Sequence, residues 1–139
     1  VRHLRAGDWT GQGLPFYGGS VSYTASLDLQ PRRGERVFLA LSRFAGALAR
    51  VHIGGETIGY AAWPPYEVEL TEVARRGKVT IGIEIFGSRR NCFGPLHLTD
   101  RAPLWVGPEQ FVSTGAEWSD TYQLVPCGLL SAPNAVYRR

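Results

Sequence analysis

Acid–base chemistry needs a paired donor and acceptor, and this 139-residue chain offers three histidines and 12 acidic residues from which to build one. Glu67 and Glu69 alternate within an extended stretch, so their carboxylates leave the same side of a strand. Glycosidic hydrolysis uses two carboxylates roughly 5 to 9 Å apart across a cleft, which this spacing allows. The same alternation makes both residues the solvent face of a strand, and nothing beside them raises a pKa. Neither is read as catalytic. His52 sits outward beside Arg50 in period, and His97 lies close enough to Asp100 to touch it after a turn. A lone histidine with one acid is far more often a structural hydrogen-bonding partner than a base, and His3 has no companion at all. The chain has no GxSxG elbow, HExxH, phosphate-cradling glycine loop or EF-hand loop.

Metal and redox chemistry find equally little. Cys92 and Cys127 make no CxxC or metal-ligand spacing, and both one disulfide and two free thiols fit their positions. Asp8, Asp100 and Asp120 are too scattered to argue a metal site. No cofactor is expected, and a structural calcium, though allowed, has no sequence argument behind it.

Binding chemistry is better supplied. Trp9, Phe16, Tyr17, Tyr60, Trp63, Tyr66, Trp105 and Trp118 fall at strand ends or in loops. Sugar rings stack on flat aromatic faces, and their hydroxyls need planar polar partners such as Arg and Asn. Trp63 stands in the rigid Ala61-Ala62-Trp63-Pro64-Pro65 loop, and Arg89, Arg90 and Asn91 supply polar groups in a second loop. These four are the expected ligand-binding residues. The competing reading packs Trp9, Phe16 and Trp105 beneath loops as satellite core and docks Trp63 on another domain.

The elements that must position these groups are strands. Val21, Tyr23, Ala25, Leu27 and Leu29 alternate strictly with Ser22, Thr24, Ser26 and Asp28, and Pro31-Arg32-Arg33-Gly34 closes the segment with turn chemistry. Residues 79–86 and 66–70 repeat the pattern. Residues 37–53 could form an amphipathic helix. Alternation in both halves and Gly46 between them favour two strands with a bend. A tight turn at Gly54-Gly55 leads to a returning strand over 57–60. Thr71 is a good N-cap for one short helix ending at Gly77. The spacing predicts a polar loop over 87–94, an irregular stretch over 100–118, a closing strand over 122–125 and a tail or edge strand over 131–139. Several short strands joined by Gly and Pro turns, with one turn of helix, make an all-β sandwich.

Length and composition agree. One domain spanning 1–139 fits this length, and 44% hydrophobic against 19% charged residues reads as globular. The net charge of +3 comes largely from separated arginine pairs, 32–33, 75–76, 89–90 and 138–139, rather than from one basic stripe. That distribution argues against a nucleic-acid partner. No run of eighteen apolar residues predicts a membrane span. The chain begins at Val1 and contains no methionine, which reads as processing or as a piece of a longer polypeptide. Localisation, secreted or cytoplasmic, stays open.

Taken in order, DWTGQGLPFYGGSVSYTASLDL, RVHIGGETIG, PPYEVELTEVARRGKVTIGIEI and GSRRNCFGPLHL resemble the sugar-binding-type domain of family 2-like and α-L-rhamnosidase-like glycoside hydrolases. The last contains Asn91-x-x-Gly94-Pro95-x-His97, similar to a loop of the rhamnosidase-like relatives. The likeness covers roughly residues 8 to 98. Gly54 stands where the hairpin usually has Asn, and Lys78 where Asn usually follows the glycine. The resemblance implies a galactose-binding-like jelly roll whose family's catalytic carboxylates lie in a separate barrel domain. The expected function is therefore a non-catalytic carbohydrate-binding or accessory module of a bacterial-type glycoside hydrolase, its partners being carbohydrate and other domains of the same polypeptide. The alternative is a purely structural interdomain sandwich, marked by an apolar surface patch that includes Trp105 or Trp118.

Overall fold

Two long alternating segments set the frame. The computed structural model describes residues 3–139, with strands β1 (Ser20–Asp28), β2 (Arg36–Ala40), β3 (Phe44–Ala45), β4 (Leu48–Ile53), β5 (Glu56–Ala61), β6 (Glu67–Glu69), β7 (Lys78–Phe86), β8 (Gly128–Leu129) and β9 (Asn134–Arg138). β1 and β7 pair antiparallel in one unbroken register from Ser20↔Phe86 to Asp28↔Lys78. The strand order is β1-β7-β4-β5 in one sheet, β6-β2-β9 in a second, and β3-β8 in a small third.

Period-2 alternation turns one side of each sheet inward. Val79, Ile81, Ile83 and Ile85 from β7 and Ala49 and Val51 from β4 share one core with Val37 and Leu39 from β2 and Val68 from β6. Burying each of the three isoleucines contributes about 1.5–3 kcal/mol. The protein is all-β, with sheet packed on sheet.

On the outer side of the larger sheet, Ser22, Glu84, Arg50 and Tyr60 form one row across four strands. Arg50 and Glu84 are joined there at 2.6 Å. Gly82 lies beneath His52, whose ring would stand 2.2 Å from a Cβ at that position. His52 is thus an outward residue, as its period required.

Strand ends gather the loops. The start of β1, the end of β7, the start of β4 and the end of β5 share one end of the larger sheet. The end of β2 and the starts of β6 and β9 meet likewise in the smaller sheet. The segments 9–19, 41–47 and 62–66 and the long 87–133 connection all enter or leave the sheets at this one end of the sandwich.

The two strands expected over 37–53 are present as β2 and β4; they belong to different sheets, and 41–47 crosses between them. Gly46 is needed because a Cβ would fall 2.4 Å from the Phe86 carbonyl oxygen, which accepts the Ala47 N–H. Other expectations are corrected. The expected helix is a single turn, α1 (Thr71–Ala74), with Leu70 at its N-cap. Thr71 does not cap it, because its hydroxyl accepts the Val37 N–H and donates to Glu69. The polar loop over 87–94 contains a second helical turn, α2 (Arg90–Phe93). Residues 122–125 form no strand, since the Gln123 N–H goes to Leu96 and the Val125 N–H to the Asn91 side chain. Closure falls instead to β8, which pairs with β3. Both cysteines are free, and the Cys92 thiol donates to the Phe16 carbonyl at 2.9 Å.

Candidate functional site

The carboxylate pair is spent on structure. Glu67 holds Arg138 through two bonds of 2.6 Å, and Glu69 holds Arg36 at 3.0 and 2.6 Å. Both guanidiniums also lie over the Phe38 ring. Hydrogen bonds from Arg36 and then Thr71 hold the Glu69 carboxyl down to about 2, and Arg138 lowers that of Glu67. Such acids stay ionised and paired at neutral pH. Among the described residues, no three His, Cys, Asp or Glu side chains gather where they could hold a metal ion. No helix there is long and apolar enough to cross a membrane.

The crowded loop end holds the remaining candidates. Its base is tied by Asp8 and Trp9. Asp8 accepts the Thr10 and Cys127 N–H groups, each at 3.0 Å, and the Thr10 hydroxyl at 2.7 Å. Burial opposes its charge, but the bonds from Cys127 and Thr10 hold its carboxyl below the ordinary value. Trp9 is fully buried against Gly87 and Gly128 and belongs to the main core, rather than to a satellite cluster beneath a loop.

The four expected ligand residues do not act as one group. Trp63 is 81% exposed in a turn closed by Tyr66 N–H to Trp63 O at 2.9 Å. Tyr66 adopts φ +55° and packs edge-on to Phe44, which anchors the turn and leaves the indole outside. Arg89 is also exposed. Arg90 folds back over Gly94, where a Cβ would meet Nη1 at 2.6 Å. Its three guanidinium nitrogens are shielded without a hydrogen-bond partner among the described residues. Burial pulls its pKa below the ordinary value against the nearby Asp100. Asn91 is 1% exposed, donates to Val125 O at 2.8 Å and accepts from Val125 N–H at 2.9 Å. One turn of helix thus sends the three adjacent residues outward, under the loop and inward, and Asn91, expected to meet sugar hydroxyls, has both ends of its amide on Val125. The Trp63 turn and the Arg89 loop leave the same sheet end two strand spacings apart, about 10 Å.

A different group of residues comes together. Residues 97–99 and 117–119 run as a short ribbon, with Thr99 N–H to Glu117 O at 2.9 Å and Ser119 N–H to His97 O at 2.8 Å. On it His97 stacks against Trp118, with centroids 5.8 Å apart and planes at 20°. Tyr122 lies 5.2 Å beyond His97, and Phe16 5.1 Å beyond Tyr122. Trp118, His97, Tyr122 and Phe16 thus form a continuous row, of which Tyr122 is 56% and Phe16 44% exposed. Gln123, buried behind the row, donates to Ser119 and Thr121 and accepts from Arg101 at 2.8 Å.

His97 is oriented by a backbone carbonyl. Its Nδ1 lies 2.7 Å from the Ser119 carbonyl, which can only accept, so Nδ1 carries the proton. In the neutral ring Nε2 is then an acceptor. The expected His97–Asp100 contact is replaced by this bond, while Asp100 accepts the Ala102 N–H. Sequence reasoning held Phe16 and Trp118 as separate aromatics and read Tyr122 as strand. No periodic signal joins residues 16, 97, 118 and 122.

Further apolar side chains stand exposed. Leu104, Trp105, Val106 and Phe111 all expose their side chains in the irregular 100–118 stretch, so Trp105 is not satellite core.

No protein-family model and no curated protein matches the chain. Among solved structures it is similar to a rhamnosidase from Novosphingobium sp. PP1Y, with a TM-score of 0.60 and 21% identity over 88% of this chain. The matched part is 11% of that rhamnosidase's length. At this identity the likeness shows a shared fold.

Proposed function

We propose that the chain is a non-catalytic accessory module of a multidomain glycoside hydrolase, a jelly-roll sandwich of the galactose-binding-like type that holds saccharide at its loop end. The aromatic row Trp118–His97–Tyr122–Phe16 carries this reading. Its exposed rings offer apolar faces for the C–H side of a sugar, and Nε2 of His97 offers an acceptor for a hydroxyl. Trp63 and Arg89 stand as a second contact at the same end, for a ligand longer than one ring. Arg90 joins them only if its guanidinium swings out from under the loop. Likeness to a small part of a rhamnosidase supports one domain of a larger enzyme whose catalytic acids lie elsewhere. Pairing of Glu67 and Glu69 with arginines agrees with that division of labour.

A second reading rests on the exposed Leu104, Trp105, Val106 and Phe111. Here the module binds no sugar and these side chains seat it on a neighbouring domain.

Tryptophan-fluorescence titration against a panel of oligosaccharides, rhamnose-containing ones included, separates the two. Saturable change with one sugar class, lost in Tyr122→Ala, supports the carbohydrate module. Silence from a folded sample, together with binding of an apolar dye that Trp105→Ser abolishes, supports the docking module.

A further inference from the structure

β1 is an edge strand whose backbone is paired on one side only. At the two ends of the β1–β7 ladder, Gly87 N–H donates to Gly19 O at 2.9 Å and Leu29 N–H to Gly77 O at 3.2 Å. Backbone groups of successive residues point to alternate sides of an antiparallel strand. Odd-numbered residues therefore bond β7, and the N–H and C=O groups of Ser20, Ser22, Thr24, Ser26 and Asp28 face outward. No strand pairs with them among the described residues. Edge strands are ordinarily kept short, bulged, or guarded by charge or proline. β5, the other edge of this sheet, runs beside a register shift at Val51/His52. In the second sheet β6 has three residues and β9 carries Arg138. β1 has nine residues in unbroken register, and Asp28 is its one charge.

Beneath this edge lies an open groove of about 530 Å³, lined by Val21, Tyr23, Ala25, Ile83, Leu129 and Pro133 among others. The inward residues of β1 are only half-buried beside it, unlike those of β7.

We propose that β1 pairs with β1 of a second copy, antiparallel about a two-fold axis at Thr24, joining the two larger sheets into one. The strand is self-complementary in that register. Thr24 faces Thr24 and Ser22 faces Ser26, so no like charges meet and the outward-facing backbone groups of residues 22–26 bond each other. At the ends Ser20 faces Asp28, where the Ser20 carbonyl already accepts the Tyr17 hydroxyl at 3.0 Å and its bond to the second copy would replace that one. On the inner side Val21 meets Leu27 and Tyr23 meets Ala25, and these side chains reach over the groove of the opposite copy. Free edge and groove are thus met by one occupant through one isologous contact.

Sedimentation velocity over a concentration series tests the pairing. The wild-type chain is expected to move from monomer mass towards twice that mass. Thr24→Lys and Thr24→Glu each place like charges opposite one another at the axis, on an exposed side chain that the monomer does not need. Each variant is expected to keep its melting temperature at high dilution and to dimerise at least about ten-fold more weakly. Mixed in equal amounts, the two are expected to form a heterodimer. A wild-type chain that stays monomeric at millimolar concentration overturns the proposal. So does a wild-type-like dimer of Thr24→Lys, or a mixture that stays monomeric.

Discussion

Replacing Asn91 by alanine removes both hydrogen bonds that fasten the 122–127 segment to α2. Each bond contributes about 1 kcal/mol net, and a half-buried Val125 N–H and C=O left without partners add a desolvation cost. With the void left by the amide, the total comes to about 2–4 kcal/mol. Urea unfolding should show a lower midpoint at unchanged slope, and melting should fall by about 6–15 °C. Asn91→Asp keeps the acceptor for Val125 N–H but sets a carboxylate against the Val125 carbonyl. Its loss of stability should therefore shrink on acidification, when the protonated carboxyl can donate. A stability for Asn91→Ala within about 0.5 kcal/mol of wild type would refute the clamp. If that variant stayed stable and lost saccharide binding, Asn91 would be a ligand contact after all.

Glu69, held down to about 2 from an ordinary 4.5, adds stability that is present above pH 4.5 and disappears as pH falls towards 2. Melting curves of Glu69→Gln should lose that part of the acid dependence, and parallel curves for variant and wild type would count against it. Gly46→Ala drives a Cβ into the Phe86 carbonyl, a backbone atom held by Ala47, and should cost about 1–3 kcal/mol in chemical denaturation. An unchanged midpoint would mean that the crossover between sheets relaxes freely. Trp63→Ala, at an 81% exposed site, should leave stability within about 0.5 kcal/mol. Saccharide binding by that variant should weaken about three- to ten-fold in a calorimetric titration, as expected for one lost aromatic face.

Local pattern was enough wherever one physical rule acted alone. The alternation of 21–29 and 79–86 named the two longest strands, because a half-buried pleat demands period 2. It could not say that β2 and β4 lie in different sheets, since that depends on how closely Gly46 approaches Phe86 across the chain. Residues 122–125 looked like strand, yet the Gln123 N–H goes to Leu96 and the Val125 N–H to the Asn91 side chain. Trp63 was legible as a surface aromatic because proline-rich turns expose what they carry. Arg90 and Asn91 were not legible, because one helical turn rotated them away from Arg89. The aromatic row draws on residues from 16 to 122 and is assembled only by the loop packing above the sheet end.

The most direct measurement is chemical-shift mapping of the labelled chain during titration with the oligosaccharide class that alters its fluorescence. The proposal predicts shifts at the Trp118 and Trp63 indole N–H signals and along 16–18, 97–99 and 118–122. Signals at the opposite end, around Gly54 and Gly55, should stay in place. Shifts confined to that opposite end, or none from any saccharide at millimolar concentration, would contradict it.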